Sequence, residues 1–261
     1  MNSSDALNIA LVQTILHWED ADANLAHIDK HIASIHQPVD VIVLPEMFAT
    51  GFSMRAETLA KGSSTKALEQ MKRWAKEKSC VVCGSLMFEE AGKYYNRMIW
   101  MKPDGNYVHY DKRHLFSLGE EHNHYGAGSK RLTVECKGWK IRLIVCYDLR
   151  FPVWCRNNDD YDLMIVVANW PERRAFAWNQ LLIARAIENQ CYVAAVNRVG
   201  EDGNKIYHSG DSAVLDYKGE TLTKASHDEV VLYQTLQREP LQDFRKHFPF
   251  LAGRDSFTLH P

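Results

Sequence analysis

The chain has 261 residues, of which 46% are hydrophobic and 25% charged, with a formal net charge of −2. That length and apolar content suit a single large domain with a sizeable core. The near-neutral balance leaves no electrostatic footprint for nucleic acid or an anionic membrane. The start, Met1-Asn2-Ser3-Ser4-Asp5-Ala6-Leu7, lacks the basic and apolar regions of a secretory signal, and no apolar run reaches bilayer-spanning length. A cytosolic protein is expected, with Cys80, Cys83, Cys136, Cys146, Cys155 and Cys191 as free thiols.

Strand-length apolar runs alternate with helical patterns. Asn8 to Gln13 predicts a buried strand, and Ala23 to Ile35 a helix carrying Leu25, Ile28, Ile32 and Ile35 at helical spacing. Val39 to Leu44 is a β-branched run ended by Pro45. Thr65 to Lys78 predicts a second helix. Cys80 to Phe88 and Tyr95 to Met101 are strands, and Pro103-Asp104-Gly105-Asn106 turns the chain after them. Cys80-Val-Val-Cys83 has a redox or half-zinc spacing, but no second pair exists and the run itself is apolar, so two buried strand thiols are expected.

Ile141 to Val145 is a buried strand running into Cys146, and Leu163 to Ala168 runs likewise into Asn169. Ala175 to Asn189 is the clearest helix, followed by a strand over Cys191 to Val196. Ser212 to Leu215, Thr221 to Lys224 and Val230 to Leu236 are later strands, with a turn at Lys218-Gly219-Glu220. Phe248 to Pro261 reads as an ordered arm. Near-continuous apolar strands among helices predict sheets covered by helices, an α/β (α+β) architecture.

Three reactive side chains follow buried strands, where loops commonly carry sites. Glu46, in Leu44-Pro45-Glu46-Met47-Phe48, fits a desolvated general base or a helix-start carboxylate. Lys112, in Tyr110-Asp111-Lys112-Arg113-His114-Leu115-Phe116, fits an oxyanion stabiliser or a solvated basic cluster. Cys146 precedes Tyr147-Asp148-Leu149-Arg150-Phe151-Pro152, where a nearby cation would favour a thiolate; the alternative is a core thiol. Neither Gly-x-Ser-x-Gly nor a P-loop occurs.

Together these segments resemble the nitrilase, or carbon–nitrogen hydrolase, superfamily: Pro45-Glu46 with Gly51-Phe52, Lys112-x-His114-Leu115-Phe116, and Cys146-Tyr147-Asp148-x-Arg150-Phe151-Pro152, in the family's order. Tyr147-Asp148, where true nitrilases carry Trp-Glu, is similar to the ω-amidase branch, which hydrolyses the terminal amide of 2-oxo acids such as 2-oxoglutaramate and 2-oxosuccinamate. The resemblance implies a four-layer α-β-β-α sandwich spanning residues 1–261, no metal or other cofactor, and a homodimer joined near Cys155, residues 175–189 and the arm at 248–261. It implies Cys146 as nucleophile, Glu46 as base, and Lys112 with the Tyr147 backbone N–H as oxyanion donors. It also implies a second glutamate, Glu121 in preference to Glu120, before the closing Gly128. The 2-oxo acid carboxylate calls for a guanidinium; Arg150, Arg173 and Arg174 are candidates, with Arg173 preferred. Phe48 and Trp170 would wall the carbon chain or belong to the core.

Overall fold

A computed structural model describes residues 5–259. In chain order the elements are β1 (Ala6–Gln13), α1 (Ala21–Ala33), β2 (Val41–Val43), α2 (Ala56–Lys78), β3 (Val81–Glu90), β4 (Lys93–Met101), β5 (Tyr107–Asp111), β6 (Leu132–Cys136), β7 (Trp139–Val145), α3 (Pro152–Cys155), β8 (Leu163–Ala168), α4 (Ala175–Asn189), β9 (Tyr192–Asn197), β10 (Val199–Glu201), β11 (Tyr207–Leu215), β12 (Thr221–Ser226), β13 (Val230–Gln237) and α5 (Arg238–His247).

The strands form two sheets. One runs β13-β1-β2-β3-β4-β5; the other runs β10-β11-β9-β8-β7-β6, with β12 against β11. At the centre of each, β1-β2-β3 and β7-β8-β9 are parallel. Continuous apolar runs are required here because both faces are covered. Leu7, Ile9 and Leu11 of β1, with Val41 and Val43 of β2, pack against Ile141, Leu143 and Val145 of β7 between the sheets. The alternate residues Ala10, Val12 and Ile42, with Leu44 just beyond β2, pack instead with Leu25, Ile28 and Ile32 of α1 and Met71 and Trp74 of α2. Trp178, Leu182 and Ala186 of α4 join the core on the side of the second sheet. The layers therefore run helix, sheet, sheet, helix, as expected. No helix among the described residues is long and apolar enough to cross a membrane.

The departures have local causes. Helix α2 begins at Ala56 rather than Thr65. Gly62-Ser63-Ser64 weakens the helical signal, but Ala56, Ala60 and Ser63 are buried, and packing outweighs propensity. Helix α5 has Pro240 in its first turn, where a missing N–H is tolerated. The arm begins by folding back, with the Phe248 ring 5.2 Å from Phe244, and residues 250–253 form a short 3₁₀ turn. Its last two residues, 260 and 261, lie outside the described region. Cys155, expected near an interface, is fully buried; the exposed residues of α3 are Pro152 and Val153.

Candidate active site

The two sheets bring their strand ends to a common cavity of about 480 Å³. Glu46 leaves the end of β2, Lys112 directly follows β5, Cys146 directly follows β7 and Asn169 directly follows β8, and all four line it. This is the carboxyl end of both parallel strand groups, where α/β sheets open crevices.

Backbone shape sets each side chain's direction. Cys146 has φ of +46° and Met47, next to Glu46, has φ of +45°. Side chains rarely occupy this left-handed region, and such strain persists only where surroundings enforce it. At Cys146 the enforcement comes from Asp148. Its Oδ2 accepts from the Val145 N–H at 3.1 Å and the Tyr110 hydroxyl at 2.7 Å, while Oδ1 accepts from the His114 N–H at 2.9 Å. His114 also stacks on Phe151 at 3.6 Å. Asp148 thus ties the Cys146 turn to the segment bearing Lys112. At Met47 the backbone N–H donates to Ser85 Oγ at 2.9 Å.

The carboxylates and ammonium form one buried network. Lys112 Nζ donates to Glu46 Oε1 at 2.9 Å and to Glu121 Oε1 and Oε2 at 3.1 and 2.9 Å, with all three side chains fully buried. Asn96 Nδ2 donates to Glu46 Oε1 at 2.7 Å and Glu121 Oε1 at 3.2 Å. The Asn169 N–H donates to Glu46 Oε2 at 2.7 Å, and the Phe116 N–H to Glu121 Oε2 at 2.6 Å. Every oxygen of both carboxylates thus has a donor, as buried charge requires. Gly128 closes the segment: its N–H donates to the Lys112 carbonyl at 2.8 Å, and a Cβ there would stand 2.1 Å from the Asp111 carbonyl oxygen.

Burial by itself would lower the Lys112 pKa, but the charges of Glu121 and Glu46 override it and hold the ammonium protonated. Burial raises the Glu121 pKa, opposed by Lys112 and reinforced by Glu46. The Cys146 thiol is pushed well above its ordinary value, first by burial and then by the Glu46 carboxylate, which also accepts a hydrogen bond from it; Lys112 pulls the other way. The expected cation-favoured thiolate is therefore not the resting state. The cation is present, but desolvation and the Glu46 charge prevail. Cys80 and Cys155 are pushed up by burial to about 12, and among the described residues Cys146 is the cysteine that lines this cavity.

Of the two adjacent glutamates, Glu121 meets Lys112, whereas Glu120 is solvent-exposed. Trp170 lines the cavity. Phe48 does not: it lies in the core beneath α2, its ring 6.4 Å from Trp74, because it follows the strained Met47 turn on the helix-facing side. The cavity's aromatic residues are Trp18, Phe52, Phe116, Tyr147 and Trp170, with Phe52 5.1 Å from Lys112 Nζ. Arg55, Arg150, Arg173 and Arg174 also line it. Arg55 pairs with Glu19 at 2.6 Å, Arg150 lies over Trp170 at 4.7 Å and Arg174 over Phe116 at 5.0 Å. Arg173 is exposed and has no ion pair or ring contact among the described residues.

Sequence reasoning did not single out Asn96, Tyr110 or Asp148 as organisers of the site. Asn96 sits beside Arg97 in the polar first half of β4, so its sequence context carried no distinct signal. Tyr110 and Asp148 are distant in sequence and meet only through folding.

The carbon–nitrogen hydrolase family model matches residues 8–246. The chain is 46% identical over 254 residues to Omega-amidase YafV of Yersinia enterocolitica, covering 97% of this chain and 98% of that protein. It is 31% identical to 2-oxoglutaramate amidase of Bacillus subtilis, covering 92% and 95% respectively. The crystal structure of XC1258 from Xanthomonas campestris, a CN-hydrolase superfamily protein with an arsenic adduct in its active site, superposes with a TM-score of 0.95 at 42% identity, over 98% of this chain and 99% of that one.

Proposed function

Because this chain belongs to the carbon–nitrogen hydrolase family, we propose that it is an ω-amidase, releasing ammonia from the terminal amide of 2-oxoglutaramate, 2-oxosuccinamate and similar 2-oxo acid monoamides. The observation that carries the reading is the meeting of Glu46, Lys112 and Cys146 beside an arginine-bearing cavity, in a chain 46% identical to an ω-amidase.

An amide is a poor electrophile and ammonia a poor leaving group, and a buried thiol is a poor nucleophile until it loses its proton. In the proposed cycle Cys146 Sγ attacks the amide carbon as its proton passes to Glu46. The carbonyl oxygen becomes an oxyanion, held by the Lys112 ammonium and the Tyr147 N–H. Glu46 gives the proton to the amide nitrogen, the C–N bond breaks, and ammonia leaves a thioester on Cys146. Glu46 then takes a proton from water as its oxygen attacks the thioester. The C–S bond breaks, the acid departs, and the proton returns to sulfur. Amide and water become acid and ammonia with Glu46 unchanged. The raised Cys146 pKa supports proton transfer coupled to attack, because a free thiolate beside Glu46 is disfavoured. Glu121 orients Lys112, accepting from its ammonium with both oxygens.

Arg173 is the proposed partner of the 2-oxo acid carboxylate. The engagement of Arg55, Arg150 and Arg174 with other groups supports that choice, as does the absence of an ion pair or ring contact at Arg173 among the described residues. Trp170 would wall the carbon chain, with Phe52 in the place first assigned to Phe48. Ammonia release from 2-oxoglutaramate, measured against glutamine, a nitrile and a carbamoyl amine, tests the assignment. If 2-oxoglutaramate is not the best of the four, the ω-amidase reading is wrong.

A homodimer built on α4, Val153 and the arm at 248–261 completes the proposal. Phe176 and Ile187 stand eleven residues apart, three turns along one side of α4, and are 80% and 51% exposed, as large apolar residues at an interface are before pairing. Light scattering on the purified chain tests it, and a monomer at micromolar concentration would refute it. Six free cysteines support a reducing, cytoplasmic setting, which subcellular fractionation can check.

A further inference from the structure

The described residues include a second convergence of reactive side chains, distinct from the cavity. His27 and His31 stand four residues apart on one face of α1, and Glu229 immediately precedes β13. Because β13 pairs with β1, with Val230 opposite Gln13, Glu229 is carried to the end of β1 and against the helix. One ligand atom from each of the three residues lies within 4.8 Å of the other two.

One oxygen is crowded. Glu229 Oε2 stands 2.6 Å from His27 Nε2, 3.3 Å from His31 Nε2, 2.7 Å from the Thr14 hydroxyl and 3.1 Å from the Ile15 N–H. A carboxylate oxygen has two lone pairs. Four polar groups therefore share one oxygen, and the Thr14 hydroxyl, with a single proton to give, also stands 3.2 Å from His31 Nε2. The histidine rings cross edge-on at 5.1 Å and 84°, and both Nε2 atoms lie within 3.3 Å of the same Glu229 oxygen.

We propose that His27, His31 and Glu229 bind a divalent transition-metal ion of the zinc class, remote from the reaction chemistry. Two imidazoles spaced i and i+4 on a helix with one carboxylate are a donor set for such an ion. Zinc bonds of about 2.0–2.1 Å in a tetrahedron separate ligand atoms by about 3.3 Å. His31 and Glu229 already stand at 3.3 Å, and His27 needs to withdraw from Glu229 by about 0.7 Å. Water completes the shell. The ion would staple α1 to the ends of β1 and β13. The segment between β1 and α1 contains Trp18 and Glu19, both of which line the cavity, so the staple would anchor one wall of it.

The test uses the full chain with Cys146→Ala, which removes the cavity thiol as a competing ligand. After equilibrium dialysis against Zn²⁺, elemental analysis is expected to find one equivalent retained. The further substitutions His27→Gln and His31→Gln together, or Glu229→Gln alone, are expected to abolish retention. Each metal-free form should unfold at a similar temperature, and only the parent should gain thermal stability on adding Zn²⁺. Co²⁺ substitution should give a tetrahedral spectrum without thiolate charge transfer. No retention by Cys146→Ala, equal retention by the histidine variants, or a thiolate band in the Co²⁺ form would each overturn the proposal.

Discussion

Replacing Lys112 by Met separates its two roles. The ammonium contacts three carboxylate oxygens at 2.9–3.1 Å and is fully buried, so its loss leaves Glu46 and Glu121 facing each other without a cation. Removing one partner of a buried ion network costs about 3–5 kcal/mol. For chains near this size each kcal/mol moves Tm by roughly 2–4 °C, so a fall of about 6–20 °C is expected. Loss of an oxyanion donor should also reduce kcat about a hundred- to a thousand-fold. The informative variant is Lys112→Met with Glu121→Gln. It removes one of the two unpaired charges, and the new amide can donate to Glu46. Thermal unfolding should recover most of the lost Tm, while ammonia release stays at the single variant's level. Full stability in Lys112→Met, or activity returning together with stability in the double variant, would refute the separate roles argued for this ammonium.

Arg173→Ala should raise KM for 2-oxoglutaramate while changing kcat little. A charge-assisted hydrogen bond contributes about 1.5–3 kcal/mol, or roughly a ten- to hundred-fold change in KM, and steady-state kinetics will show whether the loss falls on kcat instead. Glu46→Gln should nearly abolish ammonia release yet make Cys146 easier to alkylate at neutral pH. Burial still raises the thiol pKa there, but the Glu46 contribution is gone and Lys112 still lowers it; slower alkylation than wild type would contradict this sign. Gly128→Ala should destabilise by about 1–3 kcal/mol, because its Cβ would meet the Asp111 carbonyl oxygen, and denaturant unfolding should register the change.

The layered architecture was legible because strands buried on both faces must be largely apolar: β2 and β8 are so throughout, and β1 and β7 carry long apolar runs. What escaped the pattern were elements held by context. Strand β6 mixes Thr133 and Glu135 with Val134, and among its residues only Val134 is buried, so alternation is weak. Helix α5 pairs low overall hydrophobicity with a proline, and of its residues only Leu241 is buried. At the site, Glu46, Lys112 and Cys146 were legible as reactive groups ending apolar strands and as parts of a family pattern. Phe48 was misplaced because one strained residue, Met47, turns the chain so that consecutive side chains face different layers. Asn96 and Asp148 were not singled out because their importance lies in partners 25 to 50 residues away, which spacing cannot reveal.

The central claim is that amide hydrolysis passes through a thioester on Cys146. Rapid acid quenching during turnover of 2-oxoglutaramate, followed by intact-mass analysis and peptide mapping, addresses it directly. The mechanism predicts an acyl adduct on the peptide carrying Cys146, formed as ammonia appears and absent from Cys146→Ala. Ammonia release by Cys146→Ala at the wild-type rate, or an adduct on another residue, would contradict it.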